Sequence, residues 1–224
     1  MIISLLVRPV LNKIDEKETL RYAGMKSSED FPEKIVKDAL KEVIAYAEPI
    51  GTWQFYDYCE QVVSAQPLYK LTSQNLMLHL KGSQKVALLA VSVGEAIEER
   101  ITNLFAENEY AKAVLVDAAA TTATEQVADS VCELIAREAR KQGLVAGSRF
   151  SPGYGDWDIK EQPEVLRLSG AEKIGIKLTT SFMLMPRKSV TAIVGLRVNG
   201  KELTTEKQGC LACDKKDCVL RRNN

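Results

Sequence analysis

The stretch Arg149-Phe-Ser-Pro-Gly-Tyr-Gly-Asp-Trp157 does most to assign a fold and a site to this chain, and it describes a rigid turn with a cation at one end. Pro152 fixes one φ angle, while Gly153 and Gly155 permit positive φ and a close approach of a ligand to the backbone. Arg149 can hold a carboxylate or phosphate through two parallel hydrogen bonds, and Tyr154 offers a flat apolar face with one hydroxyl. The spacing fits a small anionic ligand with a flat or apolar part, and it equally fits a plain surface turn.

Two further segments follow this turn in order. Ile174-Gly-Ile-Lys-Leu-Thr-Thr-Ser-Phe-Met-Leu-Met-Pro186 contains Gly-x-x-Leu-Thr-x-Ser with a methionine-rich end, and Lys188-Ser-Val-Thr191 contains Ser-Val-Thr. Together the three segments resemble the activation domain of cobalamin-dependent methionine synthase, from about Val127 to Leu196. The sequence is therefore similar to that family, and we expect a free-standing member of it.

The resemblance implies a domain built on an antiparallel sheet with flanking helices, and a site for S-adenosylmethionine (AdoMet). In the family, this domain presents AdoMet to a cobalamin that has fallen into the inactive cob(II) state. An electron from a reductase and the AdoMet methyl group then regenerate methylcobalamin. For this chain the resemblance implies reactivation of a cobalamin held by a separate cobalamin-binding module. Methyl transfer from a sulfonium needs no general acid or base, so no catalytic residue is expected.

The same resemblance implies ligand contacts at particular positions. Arg149 matches the arginine that binds the carboxylate of AdoMet. Tyr154 matches a tyrosine near both the ligand and the corrin. The other implied contacts are Pro152 and Gly153 in the turn, the main chain of Val194, Gly195 and Leu196 for the adenine, and the acid Glu133. An N-terminal aspartate used by the family's long form has no clean counterpart around residues 22–24.

Composition narrows the classes of function. The 224 residues include 30 basic and 30 acidic side chains, so no general attraction to nucleic acid is expected. Arg8 and Pro9 interrupt the apolar run that begins the chain, which indicates neither a membrane span nor a secretory signal. Five cysteines without such a signal favour free thiols in the cytoplasm.

Hydrophobic periodicity predicts an α+β fold. Helices are predicted at 28–47 (capped by Ser27 or Ser28), 95–106, 111–142 and near 161–168, and strands at 52–63, about 173–179 and 190–198. The apolar run 85–93 fits a buried strand or a buried helix, and the strand is favoured. An Asn-Gly pair after Val198 predicts a hairpin. The small side chains of Ala118-Ala-Ala-Thr-Thr-Ala-Thr124 indicate close helix packing. We expect one domain over residues 1–200 and a tail over 201–224.

The tail contains Cys210-Leu-Ala-Cys213-Asp-Lys-Lys-Asp-Cys218. A Cys-x2-Cys pair suits zinc or an iron–sulfur cluster, but a closed site takes four ligands and this segment supplies three. Cys59, Cys132, His79 or a carboxylate would have to complete it. Redox-active thiols and a structural or disordered terminus are the other readings that the sequence leaves open.

His79 and two methionines carry further expectations, and two other functions stay open. His79, within an apolar stretch, is expected to be partly buried and hydrogen-bonded, and Met183 and Met185 to line the core or a pocket. The alternatives to AdoMet-dependent reactivation are a non-catalytic assembly subunit and a corrinoid redox protein that uses the cysteine tail.

Overall fold

The computed structural model describes residues 5–25 and 32–198, and an antiparallel sheet of seven strands forms the middle of this part of the chain. In order of pairing, six of the strands are β4 (Tyr69–Lys70), β3 (Val62–Val63), β2 (Ile50–Cys59), β5 (Ser83–Ser92), β9 (Ser189–Val198) and β6 (Leu144–Phe150). The seventh, β1 (Leu5–Val7), pairs with β2. A separate small hairpin consists of β7 (Lys177–Leu178) and β8 (Leu184–Met185).

The central strand β5 explains why helices cover both faces of this sheet. Successive side chains of a strand point to opposite faces, and in β5 both sets are apolar and buried. Ala87 and Leu89 belong to one core cluster, whereas Val86 and Leu88 belong to a second. The predicted α+β class, with an antiparallel sheet flanked by helices, is confirmed.

The helices divide between the two faces. On one face lie α1 (Glu16–Tyr22), α2 (Glu33–Tyr46), α4 (Ala96–Ala106) and α5 (Tyr110–Lys141), and on the other lie α3 (Gln74–His79) and α6 (Gln162–Ser169). The alanine- and threonine-rich part of α5 is buried, and the hydroxyl groups of Thr122 and Thr124 donate to carbonyl oxygens one turn back. The predicted close packing of this segment is therefore observed.

Several predicted boundaries change in the structure. α2 begins at Glu33 with Pro32 at its N-cap, so the predicted serine cap is wrong, and those serines lie outside the described residues. The strand predicted over 52–63 is a hairpin of β2 and β3, because Glu60 and Gln61 take positive φ at the turn. The strand predicted near 173–179 is a 3₁₀ turn, Ala171–Ile174, followed by the short β7. The hairpin predicted after Val198 lies outside the described residues.

Candidate functional site

Arg149 lies near the end of β6, directly opposite Val194 of β9. The chain then turns back on itself: the Trp157 amide donates to the Tyr154 carbonyl at 3.0 Å, and the Gly153 amide donates to the Trp157 carbonyl at 2.7 Å. Gly153 has φ +89°, which glycine adopts without strain. Trp157 is buried, whereas the side chain of Tyr154 is 67% exposed. The turn is thus anchored at its end and presents its tyrosine to solvent.

The guanidinium of Arg149 faces α5. Its Nη2 donates to Glu125 Oε2 at 2.6 Å, and its Nη1 lies 2.9 Å from Asp129 Oδ1. Nη1 is nevertheless buried without a well-aligned hydrogen bond to any described residue. Burial lowers the pKa of Arg149, but the two carboxylates outweigh that effect and raise the pKa overall. The result is a permanently charged, partly buried cation held between two carboxylates.

The thiol of Cys132 lies beside this guanidinium. Burial raises the pKa of Cys132, and the nearby Arg149 offsets only part of the increase. Cys132 is therefore a neutral thiol at physiological pH and a poor nucleophile.

Glu133 lines a shallow groove between α5 and the extended segment before α1. The groove has a volume of about 280 Å³, and its walls include Pro9, Lys13, Asp129 and Glu133. Because α5 brings every fourth residue to the same face, Glu125, Asp129 and Glu133 form one acidic stripe. Only Glu133 was predicted from the sequence, although the four-residue spacing of the three acids is visible there. The structure places Glu133 one turn beyond the partner of Arg149.

The segment Val194–Leu196 lies in the middle of the sheet. Val194 and Leu196 are buried in the core against α5, and β9 pairs with β5 on one side and β6 on the other. The pairing of β6 with β9 shifts between Ala146 and Arg149, so Gly147 and Ser148 form a bulge opposite Gly195. The structure brings this segment beside Arg149, as the matched positions require, and adenine contact with its main chain stays a prediction.

Helix α3, which the sequence analysis missed, packs against the turn. Asp156 accepts hydrogen bonds at the start of α3, and His79 at its end donates from Nε2 to the Ser148 carbonyl at 2.8 Å. His79 is partly buried and hydrogen-bonded, as expected. A six-residue helix gives no periodic signal, which explains the omission.

The two methionines and the cysteine tail are the other predicted features. Met183 and Met185 are 59% and 41% exposed, so the expectation that they line the core or a pocket is wrong; the short β7–β8 hairpin turns them outward. Cys210, Cys213 and Cys218 lie outside the described residues. Within 5–25 and 32–198, no group of three or more histidine, cysteine or acidic side chains is arranged to hold a metal ion.

The matching family model supplies the decisive comparison. The model described as "Vitamin B12 dependent methionine synthase, activation domain" matches residues 76–208, which include the Arg149 turn, the acidic stripe of α5 and β9. The chain belongs to this family. No curated protein matches the chain. None of the helices in the described ranges is both long and apolar enough to cross a membrane.

A solved structure extends the likeness to the activation-domain fold as a whole. The chain is similar to a crystal structure of the MetH reactivation domain bound to AdoHcy, with a TM-score of 0.61. The match covers 89% of this chain and 80% of that chain, and 15% of residues are identical. At this identity the likeness shows that the two chains share a fold.

Proposed function

We propose that this activation-domain protein binds AdoMet between α5, the Arg149–Trp157 turn and β9, and reactivates a cobalamin held by a separate binding module. The observation that carries the proposal is the partly buried guanidinium of Arg149, which pairs with Glu125 and Asp129 and lies beside the groove that Asp129 lines. A zwitterionic amino acid needs both a cation and an anion within a few ångströms of each other. Arg149 and Asp129 offer that pair.

Each charged group of the ligand has a counterpart. The ligand carboxylate binds Arg149 and takes the place that Glu125 occupies in this structure. The ligand ammonium lies over Asp129 and Glu133, which line the groove. Glu125 pairs with Arg149 and does not line the groove, so it competes with the ligand carboxylate. Asp129 and Glu133 line the groove and attract the ligand ammonium. Asp129 and Glu133 thereby take the role of the N-terminal aspartate that the family's long form uses.

The remaining contacts involve the turn and β9. Pro152 and Gly153 shape the turn, the main chain of Val194–Leu196 receives the adenine, and Tyr154 faces the corrin. The exposure of Tyr154 supports its role at a seam with another molecule. When bound, AdoMet supplies the methyl group and a reductase supplies the electron, while this chain binds and orients the ligand. The three cysteines of residues 201–224 have no assigned part in this scheme.

The proposal is tested by calorimetric titration of AdoMet and AdoHcy into wild-type protein and Arg149→Ala. A matched control is Arg167→Ala, because Arg167 forms a similar ion pair with Glu164 at 2.6 Å on the far face of the sheet. We expect saturable binding that Arg149→Ala abolishes and Arg167→Ala preserves. A shallow groove binds weakly, so ligand concentrations up to the millimolar range are needed.

The titration is repeated with the cobalamin-binding module of methionine synthase present, since a partner can complete an open site. If wild-type protein binds neither ligand under either condition, the AdoMet proposal is wrong. Loss of binding in Arg167→Ala as well would show that the loss reflects general destabilisation and would remove Arg149 from the site.

A further inference from the structure

We propose that α3 is a clamp that holds both ends of the Arg149–Trp157 segment, with Asp156 and His79 as positioning residues for Arg149 and Tyr154. The clamp itself is a property of the fold, and its effect on ligand affinity rests on the function proposed above. Neither Asp156 nor His79 is among the residues that line the acidic groove, so each acts through the segment it holds.

Asp156 fixes the far end of the segment to the first turn of α3. Its Oδ1 accepts hydrogen bonds from the Ser73 hydroxyl at 2.5 Å and the Asn75 amide at 3.1 Å, and its Oδ2 accepts from the Gln74 amide at 2.8 Å. Ser73 in turn accepts from the Leu76 amide at 3.0 Å. The Ser73 hydroxyl and two backbone amides of the first helical turn are thus tied to one carboxylate. A helix of this length is not stable by itself, so the segment and the helix hold each other.

The fit at this end leaves no room for a side chain. A Cβ atom on Gly155 would lie 2.6 Å from the side-chain Nδ2 and 3.2 Å from the Cβ of Asn75, and the first distance is shorter than real Cβ contacts. Gly155 also has φ +55°, so the tight approach of the segment to α3 requires glycine in both respects.

His79 fixes the near end of the segment. Its Nε2–H donates to the carbonyl of Ser148, the residue immediately before Arg149 and within the β6 bulge. Arg197 of β9 donates from Nη2 to the His79 carbonyl at 2.5 Å, which ties the end of α3 to the sheet. A bulge redirects the side chains that follow it. The bond from His79 to the bulge therefore sets the direction in which Arg149 leaves the strand.

An aromatic cluster links the two ends. The ring of Phe150 lies 5.2 Å from His79, 6.1 Å from Trp157 and 6.5 Å from Tyr154, measured between centroids. Adjacent strand residues point to opposite faces, so Phe150 anchors the sheet on the α3 side while Arg149 points to α5. A displacement of α3 consequently moves the cation and the exposed tyrosine together.

The test combines variants that break each end with conservative replacements. Asp156→Ala removes all three acceptor contacts, and His79→Phe keeps an aromatic ring without its donor. His79→Gln retains an N–H group that can reach the Ser148 carbonyl. The matched control is Asp158→Asn, because Asp158 accepts a similar bond from the Lys160 amide at 2.9 Å, within its own 3₁₀ turn Ile159–Glu161. For each protein, AdoHcy affinity, thermal unfolding and amide hydrogen exchange over residues 149–157 are measured.

We expect Asp156→Ala and His79→Phe to weaken AdoHcy binding on the order of tenfold, as a small misplacement of a binding group does. His79→Gln should restore most of the affinity, and Asp158→Asn should leave it unchanged. Exchange in the ligand-free protein should rise at the amides of Gly153, Tyr154 and Trp157 and stay constant in α5. Unchanged exchange in both clamp variants overturns the clamp, whether or not ligand binds. Failure of wild-type protein to bind any ligand overturns the proposed function alone, because the exchange result does not depend on it.

Discussion

Replacing Glu125 with glutamine is expected to strengthen ligand binding while it weakens the fold. Glu125 pairs with Arg149 through a 2.6 Å contact, and the side chains of Glu125 and Arg149 are 34% and 22% exposed. The replacement is nearly isosteric and removes the charge that competes with the ligand carboxylate. It leaves Asp129, the second partner of Arg149, in place.

The magnitude follows from the exposure of the pair. Fully exposed ion pairs contribute about 0.2–1 kcal/mol, and removing one partner of a buried pair costs about 3–5 kcal/mol. This pair is partly shielded and Asp129 remains, so we expect the free energy of unfolding to fall by about 1 kcal/mol. The ligand no longer has to displace an interaction of about 1 kcal/mol, so the dissociation constant should be roughly fivefold lower.

The assay is calorimetric titration of AdoHcy beside urea unfolding, at low and at physiological salt. Glu164→Gln is the matched control, because Glu164 forms a 2.6 Å pair with Arg167 on α6 and is 30% exposed. The control should lose a similar amount of stability and show no change in affinity. An unchanged or higher dissociation constant for Glu125→Gln would mean that the ligand does not displace this carboxylate, and the assignment of its carboxylate to Arg149 would be refuted.

Three further changes test other parts of the structure. Glu133→Gln should weaken AdoHcy binding by roughly fivefold, since about 1 kcal/mol of attraction to the ammonium is lost at an exposed site, while thermal stability stays constant. Gly195→Ala should lower the free energy of unfolding by about 1–3 kcal/mol, because the added methyl group collides with the Ser83 hydroxyl of β5; Gly147→Ala, which meets only ordinary contact, is the comparison in urea titrations. Burial raises the pKa of Tyr69, so the folded state keeps this phenol protonated when the unfolded chain ionises above about pH 10. The contribution of Tyr69 to stability should therefore be constant below that pH and fall above it, and Tyr69→Phe should show a shallower fall between pH 9 and 12 in the same assay.

Long or strongly apolar segments were predictable from the sequence. β5 is a continuous apolar run, α5 repeats small and apolar residues at helical spacing, and both fall close to their predicted limits. The signals that failed are local and weak. β6 was missed because Gly147 and Ser148 interrupt its apolar pattern at the bulge, and the turn at Glu60 lacks the glycine or asparagine that usually marks a hairpin.

The candidate site could be predicted from the sequence only in part, for a related reason. The Arg149 turn was recognisable because its residues are consecutive. Its partners come from elsewhere: Glu125 and Asp129 from the preceding helix, and the His79 bond from a helix far earlier in the chain. Such contacts depend on how elements pack, and no local pattern encodes them. Only the structure shows that these residues lie close together.

The length of α5 has a consequence for how members of this fold can differ. In its first half the helix bonds Lys188, through Asp117 at 2.9 Å and Thr121 at 2.8 Å. At its middle, about two turns after Asp117, it presents Glu125 to Arg149. The two attachment points are about 12 Å apart along a single helical rod. One inserted residue between them would rotate everything beyond it by about 100° and carry the acids away from Arg149. Insertions of nearly whole turns would keep Glu125 and Asp129 on the face that meets Arg149. The length of this helix can therefore change between members of the fold in steps of a turn, but not of a single residue.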